Sequence, residues 1–425
     1  MASASLWIYR ILLGGLLPIA FPAIKLRQWL AGKSRPRFRD RLARSLPELP
    51  EGAVWIQAVS VGEVEVARGL VAEIEEREPD LPLFLTATTA TGLELARRTL
   101  GDRLPIFPCP IDLPGPVSRV LEAARPRLVV LVETELWPEM LHQAGLREVP
   151  VAVVNARLSP SSFAGYRRVA GRLRSLLAPL ALVLARTQAD AQRFAGLNVS
   201  RERIVVSGNV KYDIEADQRP LEWEDEIRRV AGDRPIMVAG STMEGEEAQV
   251  VDALAALGTD DPLPFLILAP RHPERFDAVA QLLSDRGLVC ARRSSGNAIP
   301  PNAEAFLIDT IGELARAYRL ATVAFIGGSL VPTGGHNPLE PAVWGVPVLS
   351  GPHVFNFAEV YDEMTEAGGA RLVADSAELR VAVAAWLDEP DFAVAAGKAG
   401  REVVEQNRGA TARTVSALVD LVNRT

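Results

Sequence analysis

From about residue 50 onward, short runs rich in Val, Ile and Leu alternate with stretches of helical pattern, and the alternation occurs twice along the chain. The first series is "VWIQAV" (54–59), "LFLTAT" (83–88), "RLVVLVE" (127–133), "VAVVNA" (151–156), "LALVLAR" (180–186) and "RIVVSG" (203–208). The second is "PIMVAGS" (235–241), "PFLILAP" (264–270), "EAFLID" (304–309), "TVAFIGG" (322–328) and "VPVLSG" (346–351). A near-continuous apolar run is a strand buried on both faces, and such strands separated by helices form parallel sheets. Between the series lies "KYDIEADQRPLEWEDEIRRVAGD" (211–233), which is charged and poor in apolar residues and reads as a linker. The pattern therefore predicts an α/β chain of two Rossmann-like domains, residues 51–210 and 234–425, each long enough to bury its own core.

In open parallel sheets, ligands bind beyond the carboxyl ends of the strands. The polar segments that follow the strands are thus the candidate functional ones. No GxGxxG fingerprint or GxxxxGK[ST] loop occurs among them, which argues against dinucleotide enzymes and P-loop hydrolases. The two cysteines, Cys109 and Cys290, are far apart and fit a reducing compartment rather than a disulfide framework. The four histidines show no zinc-site spacing, so neither a metal nor a cofactor is expected.

In "SVGE" (60–63), Ser60 and Glu63 fit a capping box, with Glu63 reaching back to a helix N-terminus. Gly62 allows close approach by a ligand, so Glu63 also fits a general base at a strand's carboxyl end. In "ETELWPE" (133–139), Glu135 suits a helix start and Glu133 a sheet edge, where it would be the next candidate base. Lys211 ends the last strand of the first half, or is a solvated linker lysine. In "GSTMEGEE" (240–247), Ser241 and Glu244 again fit a capping box, at a helix start suited to an anion. In "PRHP" (270–273), prolines flank Arg271 and His272, and Arg suits bidentate phosphate contacts. In "GGSLVPTGGHNPLEP" (327–341), Asn337 reads as an N-cap and Pro338 as the first helical residue, with Glu340 placed to accept from ribose hydroxyls.

Charge is unevenly spread. Residues 25–44 hold eight basic residues and one acidic, whereas residues 45–425 hold 37 basic and 52 acidic. A basic N-terminus on an acidic body argues against nucleic-acid binding and for one local anionic partner. The basic stretch follows the uncharged "ILLGGLLPIAFPAI" (11–24). As a helix, that run would span about 21 Å, short of the roughly 30 Å hydrocarbon core. Residues 1–24 are read as a short membrane anchor or interfacial segment with Arg10 near an interface, and 25–50 as a membrane-proximal segment on anionic lipid. A secretory signal peptide is disfavoured because dense Arg and Lys follow the apolar run.

Taken in order, "VSVGE", "TATTATG", "ETELWP", "NARLS", "GNVKYD", "GSTMEGEE", "PRHPERF" and "GGSLVPTGGHNPLEP" resemble the bacterial 3-deoxy-D-manno-octulosonic acid (Kdo) transferases of lipid A assembly. The chain departs from that pattern at Ala87 and Ala90 (more often Ser and Pro), Glu139 (often Asn), and Met243 and Thr333 (often His). The resemblance implies a GT-B glycosyltransferase whose two Rossmann-like domains face a cleft. CMP-Kdo would sit on the C-terminal domain and a lipid A precursor on the N-terminal one. It implies that Glu63 is the general base and that Glu133 and Lys211 support the transition state. It places Arg271, His272, Ile311, Gly312, Glu313, Asn337, Pro338, Leu339 and Glu340 at the nucleotide. It further implies inverting, metal-independent transfer in lipopolysaccharide inner-core synthesis, at the cytoplasmic face of the inner membrane. Two rival readings are a sugar-nucleotide epimerase of the same architecture and a non-catalytic membrane-surface binding protein.

Overall fold

The computed structural model describes residues 6–15, 39–134, 136–168, 171, 176–258 and 263–424. The chain divides into two units, Met1–Asp213 with Arg408–Thr425, and Ile214–Asn407.

The first unit is built on a seven-stranded parallel sheet in the order β3-β2-β1-β4-β5-β6-β7. Its strands are β1 (Val54–Ala58), β2 (Leu83–Ala87), β3 (Ile106–Pro108), β4 (Leu128–Val132), β5 (Val151–Ala156), β6 (Leu180–Ala185) and β7 (Ile204–Val206). Every residue of β1, β2, β4 and β5 is buried, as near-continuous apolar runs require. Alternate residues feed the two faces. Val54 and Ile56 pack with the helix Val61–Arg77, while Trp55 stacks on Phe84 with ring centroids 5.6 Å apart. Polar side chains within β1 and β2 are joined in one chain of bonds. Trp55 Nε1 donates to Thr86 Oγ1 at 2.8 Å, the Thr86 hydroxyl donates to Gln57, and Gln57 Nε2 donates to Thr88 at 3.2 Å.

The C-terminal helix Ala410–Val422 belongs to this unit, not to the second domain that the 234–425 boundary assigned it to. Ala410, Val415, Leu418 and Val422 join Val64, Ala67 and Leu70 of the helix Val61–Arg77 in one core. Burial of each Leu or Val there stabilises the unit by roughly 1.5–3 kcal/mol. Asp213 fastens the returning chain, accepting from the amide of Gly409 at 2.5 Å and from that of Thr411.

The second unit repeats the plan with a parallel sheet in the order β10-β11-β9-β8-β12-β13-β14. These strands are β8 (Ile236–Thr242), β9 (Phe265–Pro270), β10 (Cys290–Arg292), β11 (Ala305–Leu307), β12 (Val323–Ile326), β13 (Val348–Ser350) and β14 (Ala370–Leu372). The segment read as a linker is mostly part of this unit. Trp223 packs on Phe306 with centroids 4.8 Å apart, and Ile227, Val230 and Ala231 bury one face of the helix Glu224–Ala231. Charged residues fill its other face, so the stretch reads as polar although its apolar spacing is helical.

Residues 6–15 are helical, and among the described residues no helix is long and apolar enough to cross a membrane. Ten helical residues span about 15 Å. Arg10, expected near an interface, is paired within the protein. Its guanidinium pairs with Glu139, Nε to Oε2 at 2.7 Å and Nη2 to Oε1 at 2.8 Å, while the Tyr9 hydroxyl donates to Asp112 at 2.8 Å. The helix is thereby docked on the first unit, with Trp7, Ile8, Ile11 and Leu12 exposed. The rest of the expected anchor, residues 1–5 and 16–24, and residues 25–38 of the basic stretch lie outside the described residues.

Candidate functional site

Both sheets are doubly wound, so each has a switch point where successive strands depart in opposite directions. In the first unit it falls between β1 and β4, in the second between β8 and β12. Loops diverge there and leave a crevice at the carboxyl ends of the strands.

Glu63 follows β1 at the first switch point, in the opening turn of the helix Val61–Arg77. It is only 6% exposed. Its Oε2 accepts from the Val59 amide at 2.7 Å, and its Oε1 accepts from the Ser60 hydroxyl at 3.1 Å. This differs from the expected capping box, because Ser60 donates to Glu63 and makes no side-chain cap bond to the helix. The carboxylate is thus held at the strand end by two donors. Gly92 of "TATTATG" explains itself here, since a Cβ at 92 would lie 3.2 Å from the Ser60 backbone carbon.

Glu133 follows β4 on the other side of the same switch point, and its amide extends the ladder to Val154 O at 2.9 Å. Its φ of 62° is left-handed, as is the 51° of Asn155 at the end of the neighbouring β5. Two non-glycine residues in this region mark a strained sheet edge. The Arg186 guanidinium, at the end of β6, binds Glu133 Oε1. Lys211 Nζ lies 3.6 Å from the same oxygen. Arg186 Nε also donates to the Asn155 carbonyl at 3.1 Å, and Asn155 Oδ1 accepts from the Val210 amide at 3.1 Å beside Lys211. Burial lowers the Lys211 pKa below the ordinary lysine value; Glu133 opposes that shift and Arg186 adds to it. Glu133 and Lys211 are therefore brought together, and Arg186, which the sequence reading passed over, joins them. Glu135 lies outside the described residues.

In the second unit the expected capping box of Ser241 and Glu244 is not what organises "GSTMEGEE". Glu246, fully buried, takes that place. Its Oε2 accepts from the amides of Met243 (2.8 Å) and Gly328 (2.6 Å), and its Oε1 from those of Ser329 and Leu330 (both 2.8 Å). The expected nucleotide residues follow β9, β11 and β12. Arg271 and His272 follow β9 and are exposed. Beyond β11, Ile311 is 75% exposed, Gly312 has φ +97°, and Glu313 accepts from Trp223 Nε1 at 3.1 Å and from Arg293 Nε at 3.1 Å. Glu313 is thus engaged within its own unit. After β12, Asn337 Oδ1 accepts from the Leu339 amide at 3.1 Å. The helix is Leu339–Ala342 with Pro338 at its N-cap, one residue later than the reading of Asn337 as N-cap placed it. His336 immediately precedes Asn337, with its Nε2 buried and no hydrogen-bond partner among the described residues. Burial, with Arg271 and His272 beside it, pushes its pKa down to about 4, so the imidazole is neutral near pH 7. No group of His, Cys, Asp and Glu suited to a metal occurs among the described residues.

A family model described as "3-Deoxy-D-manno-octulosonic-acid transferase (kdotransferase)" matches residues 36–214. A 3-deoxy-D-manno-octulosonic acid transferase of Haemophilus influenzae is 36% identical over 98% of this chain and 99% of its own length. One from Bordetella pertussis is also 36% identical, over 97% of this chain and 98% of its own. Among solved structures, a UDP-GlcNAc 2-epimerase from Neisseria meningitidis bound to UDP-GlcNAc aligns over 88% of this chain and all of its own, with TM-score 0.56 at 13% identity. At that identity the likeness shows the fold, two parallel-sheet α/β domains, and nothing more.

Proposed function

The chain belongs to the 3-deoxy-D-manno-octulosonic acid (Kdo) transferase family, and we propose that it transfers Kdo from CMP-Kdo to a lipid A precursor such as lipid IVA. The product would enter the inner core of lipopolysaccharide. One observation carries this reading of the chemistry. At the switch point of the first unit, Glu63 stands on the β1 side and the Glu133–Arg186–Lys211 cluster on the β4 side. That arrangement offers a carboxylate to take a proton and cations to steady an anion.

Glu63 removes the proton of an acceptor hydroxyl while that oxygen bonds to the anomeric carbon of Kdo. The bond from that carbon to the phosphate oxygen breaks, and CMP leaves with the electron pair. A single displacement inverts the centre, through a transition state with oxocarbenium character. Lys211, held by Glu133, steadies developing negative charge. In the second unit, Arg271 and the residues Asn337 to Glu340 bind the nucleotide, beside the neutral His336.

We place the enzyme at the cytoplasmic face of the inner membrane. A lipid A precursor is membrane-held, and the helix at 6–15 presents Trp7, Ile8, Ile11 and Leu12 outward next to a strongly basic stretch. This fits an element lying in the interface and in contact with anionic lipid.

The test is direct. The purified full chain is given CMP-Kdo and lipid IVA, and product is followed by mass and by release of CMP. Addition of Kdo with matching CMP release is expected, with no turnover of UDP-N-acetylglucosamine in the absence of acceptor. Turnover of the UDP-sugar alone, or no use of CMP-Kdo, would overturn the assignment.

A further inference from the structure

Backbone amides that converge at a sheet's switch point form a ready nest for an anion. In the second unit that nest is already filled. Three successive amides, those of Gly328, Ser329 and Leu330, and a fourth from Met243 point at the carboxylate of Glu246. Each is a charge-assisted bond, and together they replace the water a buried carboxylate would lose. Two loops are tied by this one side chain, the loop after β8 and the loop after β12.

The second loop leads straight to the nucleotide residues. The Gly328 carbonyl accepts from the Gly335 amide at 2.7 Å and from Thr333 Oγ1 at 2.8 Å, and the His336 amide donates to Gly327 O at 3.2 Å. The His336 ring lies against Gly328 so closely that a Cβ there would come within 3.0 Å of Nε2. Gly328 can take this place because its φ is +71°. Where Glu246 holds Gly328, it therefore sets His336 and the turn into Asn337.

We propose that Glu246 is a positioning residue for the sugar-nucleotide donor. Its carboxylate is a resident anion that shapes the loop 327–335. By filling the nest it also keeps the donor's phosphate out of the switch point and directs it to the Arg271, His336 and Asn337 side. The inference rests on the CMP-Kdo reading given above.

Glu246→Gln is the decisive variant. An amide must turn its NH2 toward two of the four N–H donors, so the loop cannot keep its shape. CMP binding by calorimetry should weaken about tenfold or more, as expected for loss of a charged hydrogen-bond hub, and KM for CMP-Kdo should rise in parallel. KM for the lipid acceptor should not move. The control is Glu247→Gln. Glu247 is equally buried but pairs with Arg275, Oε2 to Nη2 at 3.0 Å, and does not bond the loop after β12. That variant should lose stability yet bind CMP within about twofold of wild type, because its ion pair is structural. Glu246→Asp, which keeps the charge, should fall between wild type and the Gln variant, and it replaces the Gln variant if that protein cannot be purified. Wild-type CMP affinity in Glu246→Gln, or equal weakening in Glu247→Gln at matched loss of Tm, would overturn the inference. A wild-type chain that binds no CMP would instead overturn the donor assignment and this inference with it.

Discussion

In Glu63, Oε2 accepts from the Val59 amide and Oε1 from the Ser60 hydroxyl, which holds the carboxylate at the end of β1. A glutamine can keep the Val59 bond through its amide oxygen but cannot take up a proton. Glu63→Gln should therefore lower kcat for Kdo transfer by about 10²-fold or more while Tm moves by only about 2–4 °C. A normal rate in that variant would reduce Glu63 to a structural carboxylate. Glu133 is a poor understudy. The Arg186 guanidinium and the Lys211 ammonium both lie at its Oε1, so its carboxylate serves to hold those cations in place. Lys211 does not end a strand: β7 stops at Val206, and Lys211 lies in the short turn Val210–Tyr212 that brings it to Glu133. Glu63 and Glu133 follow their apolar runs directly, as read. Arg186 was legible by the same signal and was passed over, since it reads as the tail of "LALVLAR". What the chain alone did not announce was that β5 and β6 would bring Asn155 and Arg186 beside Glu133. Glu246 was missed for a different reason. A capping-box pattern at Ser241 and Glu244 competed for the same helix start, and only the fold shows that the loop after β12 supplies three of its donors.

Strands buried on both faces were plain in the sequence; of the four strands at the sheet margins, β7 was read, as "RIVVSG", and three were not. The strands that escaped notice are Ile106–Pro108, Cys290–Arg292 and Ala370–Leu372, each at a sheet edge, the last with two of its three residues exposed. An edge strand needs fewer apolar residues because one side has no partner. The return of the helix Ala410–Val422 to the first unit was also hidden, because amphipathic spacing tells which face is buried and not against what. The helix at 6–15 poses the same difficulty, and its fastening has a pH signature. Asp112 accepts from Tyr9 and from the amides of Glu139 and Met140. Burial nevertheless raises its pKa from the usual carboxyl range to about 6. The proton is thus held more tightly in the folded state than in the unfolded one. The resulting stabilisation is complete below about pH 4 and is lost as pH rises through about 6. In Asp112→Asn nothing titrates there. Urea unfolding of the two proteins from pH 4 to 7 should show the wild type losing up to ~3 kcal/mol relative to the variant as pH rises. A difference that stays flat across that range would mean that Asp112 is not a buried titrating carboxyl.

At the scale of the whole molecule, the acidic body and the basic N-terminal stretch demand different surroundings, and the docked helix lies next to that stretch in the chain. Arg10 and Tyr9 hold one side of the helix to the first unit, so the side bearing Trp7, Ile8, Ile11 and Leu12 is fixed outward rather than free to fold inward. In the membrane placement proposed above, these exposed apolar side chains would insert into the headgroup boundary, and nearby lysines and arginines would add roughly 1 kcal/mol each on an anionic surface. The consequence is a dependence on how the acceptor is presented. Removing residues 1–24 deletes the outward apolar face but leaves Glu63, Glu133, Arg186 and Lys211 in place. Activity on acceptor embedded in anionic vesicles should fall by about tenfold or more, since the loss of surface affinity lowers the local enzyme concentration. On acceptor dispersed in detergent it should stay within a few-fold of the full chain. A parallel variant, Arg10→Ala, would loosen the helix without removing its apolar residues. It should show a smaller vesicle defect, because an undocked amphipathic helix still partitions to lipid but no longer fixes the first unit against it. Equal loss on vesicles and detergent for the truncated chain would mean that the helix serves the folding of the first unit and not its placement at a membrane.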